Sequence, residues 1–172
     1  MRIGVVIASR SNSRRLNNKA TLPICKMPML ALLIRRSTSS RLACITILAT
    51  SVSDTDNHLS ELGKSLGIEI FRGSLDDVLD RYTNAAEVFG LDVVVRLTGD
   101  NPFIDGQYID YCLSQFLLEP TSIWTSRPKC PDGLNVEIIP SSALIWLNQS
   151  QTITSYDREH VNSCFYTNKT NR

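Results

Sequence analysis

Apolar runs rich in β-branched residues alternate along the chain with amphipathic stretches of helical spacing. Ile3 to Ala8 is such a run, and it predicts a buried strand of the parallel-sheet kind. Met29 to Arg36 reads as a helix and Ile45 to Ala49 as a second strand. Asp54 to Leu66 predicts a helix capped by Ser53 or Asp54 and ended near Gly67. Ile68 to Phe71 is a short strand, Asp76 to Phe89 a helix closed by Gly90, and Asp92 to Leu97 a strongly β-branched central strand. A helix around Ile109 to Leu117, strands at Ser122 to Thr125 and Val136 to Ile139, and a helix over Ser142 to Asn148 follow. This alternation predicts an α/β fold with a mostly parallel sheet and helices on both faces. A length of 172 residues suits a single domain spanning residues 1–172.

The polar stretch after the first strand, Ser9 to Lys19, contains Arg10, Arg14, Arg15 and Lys19 with no acid nearby. At the carboxyl end of a buried strand, where open α/β sheets bind ligands, that composition prefers an anion. Arginine offers a planar fork to phosphate oxygens, lysine a mobile point charge, and Ser or Asn neutral donors. A solvated basic loop is the plainer alternative. Position, composition and lack of acids together favour a phosphate site.

Overall charge hides this asymmetry. Lys plus Arg is 18 and Asp plus Glu is 17, yet the first acid is Asp54 and nine basic residues precede it. The near-neutral total disfavours a nucleic-acid partner and suits a small anionic ligand. Five cysteines, Cys25, Cys44, Cys112, Cys130 and Cys164, form no C-x-x-C pair, so reduced thiols in a cytoplasmic protein are expected. No signal segment and no membrane-spanning run is read from the chain.

Neither G-x-G-x-x-G nor G-x-x-x-x-G-K-[ST] occurs, which argues against a nicotinamide dehydrogenase and a P-loop ATPase. The second informative element is Arg96 to Asp105, where Asp100 follows a buried strand beside Gly99 and just before Pro102. A carboxylate there can face the crevice that the basic loop faces. A lone aspartate opposite an anion loop suits Mg2+, which takes most of its ligands from water and phosphates. A turn or cap role for Asp100 is the simpler reading of Gly-Asp-Asn-Pro alone.

Together these stretches resemble a known family. Ala8 to Lys19 looks like the A-R-x-x-S-x-R-L-P-x-K loop of the sugar-activating cytidylyltransferases, including the acylneuraminate and 3-deoxy-manno-octulosonate enzymes. Arg72 to Tyr82, Val95 to Asp105, Pro131 to Glu137 and Asp157 to Val161 are similar to the spore-coat polysaccharide branch of that group. The resemblance implies a three-layer α/β/α nucleotidyltransferase fold, Rossmann-like, with a mostly parallel mixed sheet. It also implies Mg2+-bound CTP, attack of a sugar hydroxyl on the α-phosphate with release of pyrophosphate, and a homodimer. The sugar would be an acidic 2-keto sugar destined for surface polysaccharide.

Carried over by position, Arg10, Ser13, Arg15 and Lys19 would hold the triphosphate, with Ala8, Ser9, Thr98 and Gly99 completing the nucleotide site. Asp100 would hold the metal, with Lys19 and Arg10 beside it as catalytic cations; Glu159 and His160 would contact the sugar or the dimer partner, and Asp132 and Glu137 would line the sugar pocket or face solvent. Three departures from the family pattern stand out. Asn17-Asn18 replaces the usual Pro-Gly, which is tolerable because Asn enters left-handed conformations readily. Asn135 replaces an aspartate, a poorer magnesium ligand. Family members generally continue past the R-E-H-V motif into a segment with another aspartate near the metal, and this chain ends at Arg172. A non-catalytic nucleotide- or sugar-binding module on the same fold is the alternative these last two points favour. Asp76, Asp77 and Asp80 read first as helix-dipole partners, and Trp124 and Trp146 as core or interface residues.

Overall fold

In the computed structural model, which describes residues 1–11, 16, 18–161 and 163, six strands form one sheet in the order β5-β4-β1-β6-β8-β7. These are β1 (Ile3–Ala8), β4 (Ile45–Ser51), β5 (Glu69–Gly73), β6 (Val93–Thr98), β7 (Trp124–Thr125) and β8 (Glu137–Pro140). β5, β4, β1 and β6 run parallel, whereas β8 is antiparallel to both β6 and β7. The helices are α1 (Met29–Ser37), α2 (Asn57–Ser65), α3 (Val78–Val88), α4 (Gly106–Leu118), α5 (Ser141–Gln149) and α6 (Ser155–His160).

Strand alternation divides the core in two. Ile3, Val5 and Ile7 of β1 and Val93, Val95 and Leu97 of β6 pack with α1, α2 and α4 on one face. Val6, Ile47, Val94 and Ile139 pack with α3 and α5 on the other. Successive side chains of a strand point to opposite faces, so strands apolar at every position need a helix layer on each side. The result is the expected three-layer α/β/α arrangement.

Two elements were not predicted. β2 (Pro23–Ile24) and β3 (Met27–Pro28) form a small hairpin whose turn residues Cys25 and Lys26 have φ of 49° and 69°. Such a turn ordinarily carries Asn-Gly or Asp-Gly, and Cys-Lys gives no sequence signal for it. α6 begins with a capping box in which Thr154 accepts from the Asp157 N–H and Asp157 accepts from Thr154. The predicted helix from Asp54 divides into a 3₁₀ turn over Asp54–Asp56, capped by Ser53, and then α2.

Glu137 was expected to line the sugar pocket or face solvent. It is instead buried on β8 directly across from Arg96 of β6, with Arg96 Nη1 2.6 Å from Glu137 Oε2. Asn135 Nδ2 donates to the other carboxylate oxygen at 3.2 Å, so the Asn that replaces the family's aspartate is a donor to Glu137. A second carboxylate at that position would face Glu137 with like charge.

Removing one partner of a buried pair leaves the other charge uncompensated. Glu137→Ala should therefore cost about 3–5 kcal/mol. The paired change Arg96→Met with Glu137→Leu should recover most of that stability, as checked by urea unfolding of all three proteins.

Candidate functional site

Ala8 and Thr98 lie side by side in the parallel register of β1 and β6, so both chains leave the sheet at the same place. The Gly99 N–H donates to the Ala8 carbonyl at 2.8 Å, and Ser9 N–H donates to the Ala49 carbonyl of β4 at 3.2 Å. A Cβ at Gly99 would sit 2.8 Å from Ser9 Cβ and 3.2 Å from the Ala8 carbonyl oxygen, so this close approach requires glycine.

Beyond these strand ends lies a cleft of about 420 Å³. Ala8, Ser9, Arg10, Lys19, Thr98, Gly99 and Asp100 line it, as the sequence reading placed them. Glu159 and His160, from the end of α6, also line it. Ser13 and Arg15 lie outside the described residues. Asp132 is on an exposed loop, paired at 3.4 Å with Arg127, and neither it nor Glu137 is part of the lining.

The basic loop is held at its base rather than left free. The Asn18 N–H donates to the Ser11 carbonyl at 2.9 Å, and Asn18 takes a left-handed conformation with φ of 55°, as expected of an Asn in place of glycine. Lys19 then opens a 3₁₀ turn, Lys19–Thr21, that leads into the β2–β3 hairpin and α1. Asp56 anchors the other side of the loop. Its buried carboxylate accepts from Ser11 N (2.8 Å), Thr50 Oγ1 (3.2 Å), Ser51 N (3.2 Å) and Ser51 Oγ (2.5 Å). Burial opposes its charge, but the hydrogen bonds from Ser51 and Ser11 outweigh burial and hold the carboxyl below its ordinary range. Asp56 had no functional reading from sequence, where it looks like any acid in a first helical turn.

At the mouth of the cleft Lys19 Nζ lies 3.1 Å from Asp100 Oδ2, and Thr98 Oγ1 donates to Asp100 Oδ1 at 2.7 Å. Burial again opposes the charge on Asp100, and the bonds from Thr98 and Lys19 more than offset it, so the carboxyl is held low. Arg10 is clamped by the Leu75 carbonyl at 3.0 Å and Glu159 Oε1 at 3.1 Å, with Asp76 3.9 Å away. Asp77 caps α3 by accepting from the Asp80 N–H and also pairs with Arg158, tying α6 to α3. The reading of these acids as helix-terminus partners therefore covers Asp77 and Asp80, which lies in the first turn of α3, while Asp76 faces Arg10.

Arg96 and Arg81 line the cleft as well. Both fall inside stretches of sequence that carried the resemblance, yet nothing in their spacing marked them as site residues. Arg81 points from the first turn of α3, and Arg96 sits under the cleft with Nη2 donating to the His160 carbonyl at 3.3 Å. Among the described residues the cleft thus presents four cationic side chains and two carboxylates, a lining of net positive charge. Among the described residues no cluster of three or more His, Cys, Asp or Glu could hold a metal by itself. No described helix is long and apolar enough to cross a membrane.

The chain matches the model of the family described as Cytidylyltransferase over residues 4–172. It is 37% identical over 170 residues to an uncharacterized protein of Methanocaldococcus jannaschii, covering 98% of this chain and 68% of that protein. It is 31% identical over 160 residues to the spore coat polysaccharide biosynthesis protein SpsF of Bacillus subtilis, covering 91% of this chain and 66% of that one. The solved structure of a cytidylyltransferase from Leptospira borgpetersenii superposes with a TM-score of 0.89 at 31% identity, over 95% of this chain and 70% of that one. The chain spans about two-thirds of the length of these curated relatives.

Replacing Asp56 by Asn would turn an amide donor toward groups that are themselves donors, costing about 1–3 kcal/mol near neutral pH. A carboxyl depressed by folding contributes stability above its ordinary range and loses it as pH falls through the folded value. The stability of Asp56→Asn should therefore fall less steeply than that of the parent below about pH 4. Urea unfolding across an acid series checks both the offset and the slope.

Proposed function

The chain belongs to the cytidylyltransferase family, and from that premise we propose that it transfers CMP from CTP to a sugar, releasing pyrophosphate, in surface polysaccharide biosynthesis. The observation that carries this reading is the pairing of Lys19 with Asp100 at the mouth of a cation-lined cleft, directly beyond the paired ends of β1 and β6. Phosphoryl-type transfer depends mainly on positioning and charge neutralisation, and these residues supply both. An acidic 2-keto sugar is the acceptor the surplus of positive charge suits best.

Each residue has a defined task in this proposal. Arg10, braced against the Leu75 carbonyl and Glu159, presents a fixed guanidinium to the nucleotide phosphates. The Gly99 and Ser9 backbone lets the nucleotide approach the strand ends closely. Lys19 exchanges Asp100 for phosphate oxygens when the triphosphate enters, which frees the Asp100 carboxylate. Asp100 is partly exposed and already ionised, so it fits Mg2+ as a single protein ligand completed by water and phosphate. When bound, the ion would neutralise phosphate charge. Glu159 and His160 border the space left for the sugar. The sequence resemblance supports a homodimer, and the cysteine pattern supports a cytoplasmic protein.

Pyrophosphate release from CTP with a panel of sugar acids should occur in the presence of Mg2+ and fail with UTP or ATP. Lys19→Ala and Asp100→Ala should each lower kcat/KM on the order of 100-fold, with unfolding unchanged. CTP binding by calorimetry without turnover on any sugar would identify a binding module instead, and absence of nucleotide binding would overturn both readings.

A further inference from the structure

Among the described residues, three of the four cations that line the cleft are already matched by a carboxylate. Arg10 pairs with Glu159, Lys19 with Asp100, and Arg96 with Glu137. The fourth, Arg81, is only 2% exposed, and its Nε and Nη1 are buried without a hydrogen-bond partner. The acids whose charge acts on it are committed elsewhere: Asp77 to the α3 terminus and Arg158, and Asp56 to Ser11, Thr50 and Ser51. Burial opposes the charge on Arg81; Tyr82, Asp56 and Asp77 favour it, and Arg10 repels it. The stem of Arg81 is closely confined, since a Cβ at Gly73 would lie 3.0 Å from Arg81 Cγ.

We propose that Arg81 is an anion-receiving residue of the cleft, its guanidinium taking an oxyanion of the bound ligand: a phosphate oxygen of the nucleotide or the carboxylate of the acceptor sugar. A buried guanidinium cannot shed its charge as a lysine can, and leaving its donors unmade is costly. Protein interiors carry such a group where something else completes it. Arg81 faces the cleft from α3, so the partner must arrive through the cleft. An oxyanion matches the fork of guanidinium donors in both charge and geometry. This inference deepens the cytidylyltransferase reading and rests on it for the nucleotide, though not for the anion.

The substitution Arg81→Met keeps much of the stem and deletes the charge. The test measures thermal unfolding without ligand, then calorimetric binding of Mg2+-CTP, inorganic pyrophosphate and 3-deoxy-manno-octulosonate, for the wild type, Arg81→Met and Arg81→Lys. Arg81→Met should unfold at the same or a higher temperature than the wild type, because it removes an unpaired buried charge. It should bind the anion concerned about 10- to 100-fold more weakly, the loss of a charge-assisted hydrogen bond. Arg81→Lys, which keeps the charge and loses the fork, should fall between. Weakened CTP and pyrophosphate binding assigns the partner to phosphate, and a loss confined to the sugar acid assigns it to the carboxylate.

Unchanged affinity for all three probes in Arg81→Met would overturn the proposal and make Arg81 structural. If Arg81→Met does not fold, unchanged affinities in Arg81→Lys overturn it equally. A wild type that binds pyrophosphate or the sugar acid but not CTP sinks the cytidylyltransferase reading alone, and Arg81 is then judged on those two probes. A wild type that binds none of the three overturns both.

Discussion

The hydrogen bond from the Gly99 N–H to the Ala8 carbonyl fixes the point from which the rest of the site is built. It holds the exits of β1 and β6 together one residue beyond their last paired positions, Ala8 and Thr98. With a side chain at Gly99 the two exits would be forced apart, since a Cβ there meets Ser9 at 2.8 Å. From this junction the β1 exit leads into the basic loop and the β6 exit into Asp100. Lys19 and Asp100 are 81 residues apart in sequence, yet they meet at 3.1 Å because the two exits leave the sheet as neighbours. Electrostatics in the cleft is thus a consequence of strand order. The adjacency of β1 and β6 is what brings Lys19, from the cation-rich first part of the chain, to Asp100.

The same layering explains which features could be read from the sequence. Strands apolar at every position report a sheet covered on both faces, so β1, β4 and β6 and the three-layer class were legible from periodicity alone. Arg10, Lys19 and Asp100 were legible from the basic loop after β1 and the carboxylate after β6, whereas Ala8, Ser9, Thr98 and Gly99 entered through the family resemblance. The β2–β3 hairpin was not, because Cys25 and Lys26 adopt positive φ without the residues that usually signal it. Glu137 was misplaced for a different reason. It sits on a strand where period-2 alternation decides whether a charge faces solvent or the helix layer, and only the pairing of Arg96 with Glu137 across β6 and β8 shows that it is internal. Asp56, Arg81 and Arg96 were overlooked because burial and partners, not residue type, make them matter, and neither is visible in a single sequence.

An anion site must be positively charged to attract its ligand, yet positive side chains packed together destabilise the protein that holds them. This fold answers with pre-formed partners. Glu159 braces Arg10, Asp100 neutralises Lys19, and Glu137 compensates Arg96 beneath the cleft. The three pairs differ in burial, and that difference sorts their roles. Arg96–Glu137 is almost fully enclosed, with side chains 10% and 2% exposed, so separating it would strand a charge and the pair serves the fold. Lys19–Asp100 is 40% and 46% exposed, so water can solvate either partner as it turns away. An exposed pair separates at low cost, so of the three pairs Lys19–Asp100 is the one a competing charge opens most easily. Arg10–Glu159 lies between these extremes at 22% and 31%, and it joins the β1 exit to α6, which Asp77 and Arg158 in turn tie to α3. Any displacement of Arg10 therefore bears on the end of α6, where Glu159 and His160 border the cleft.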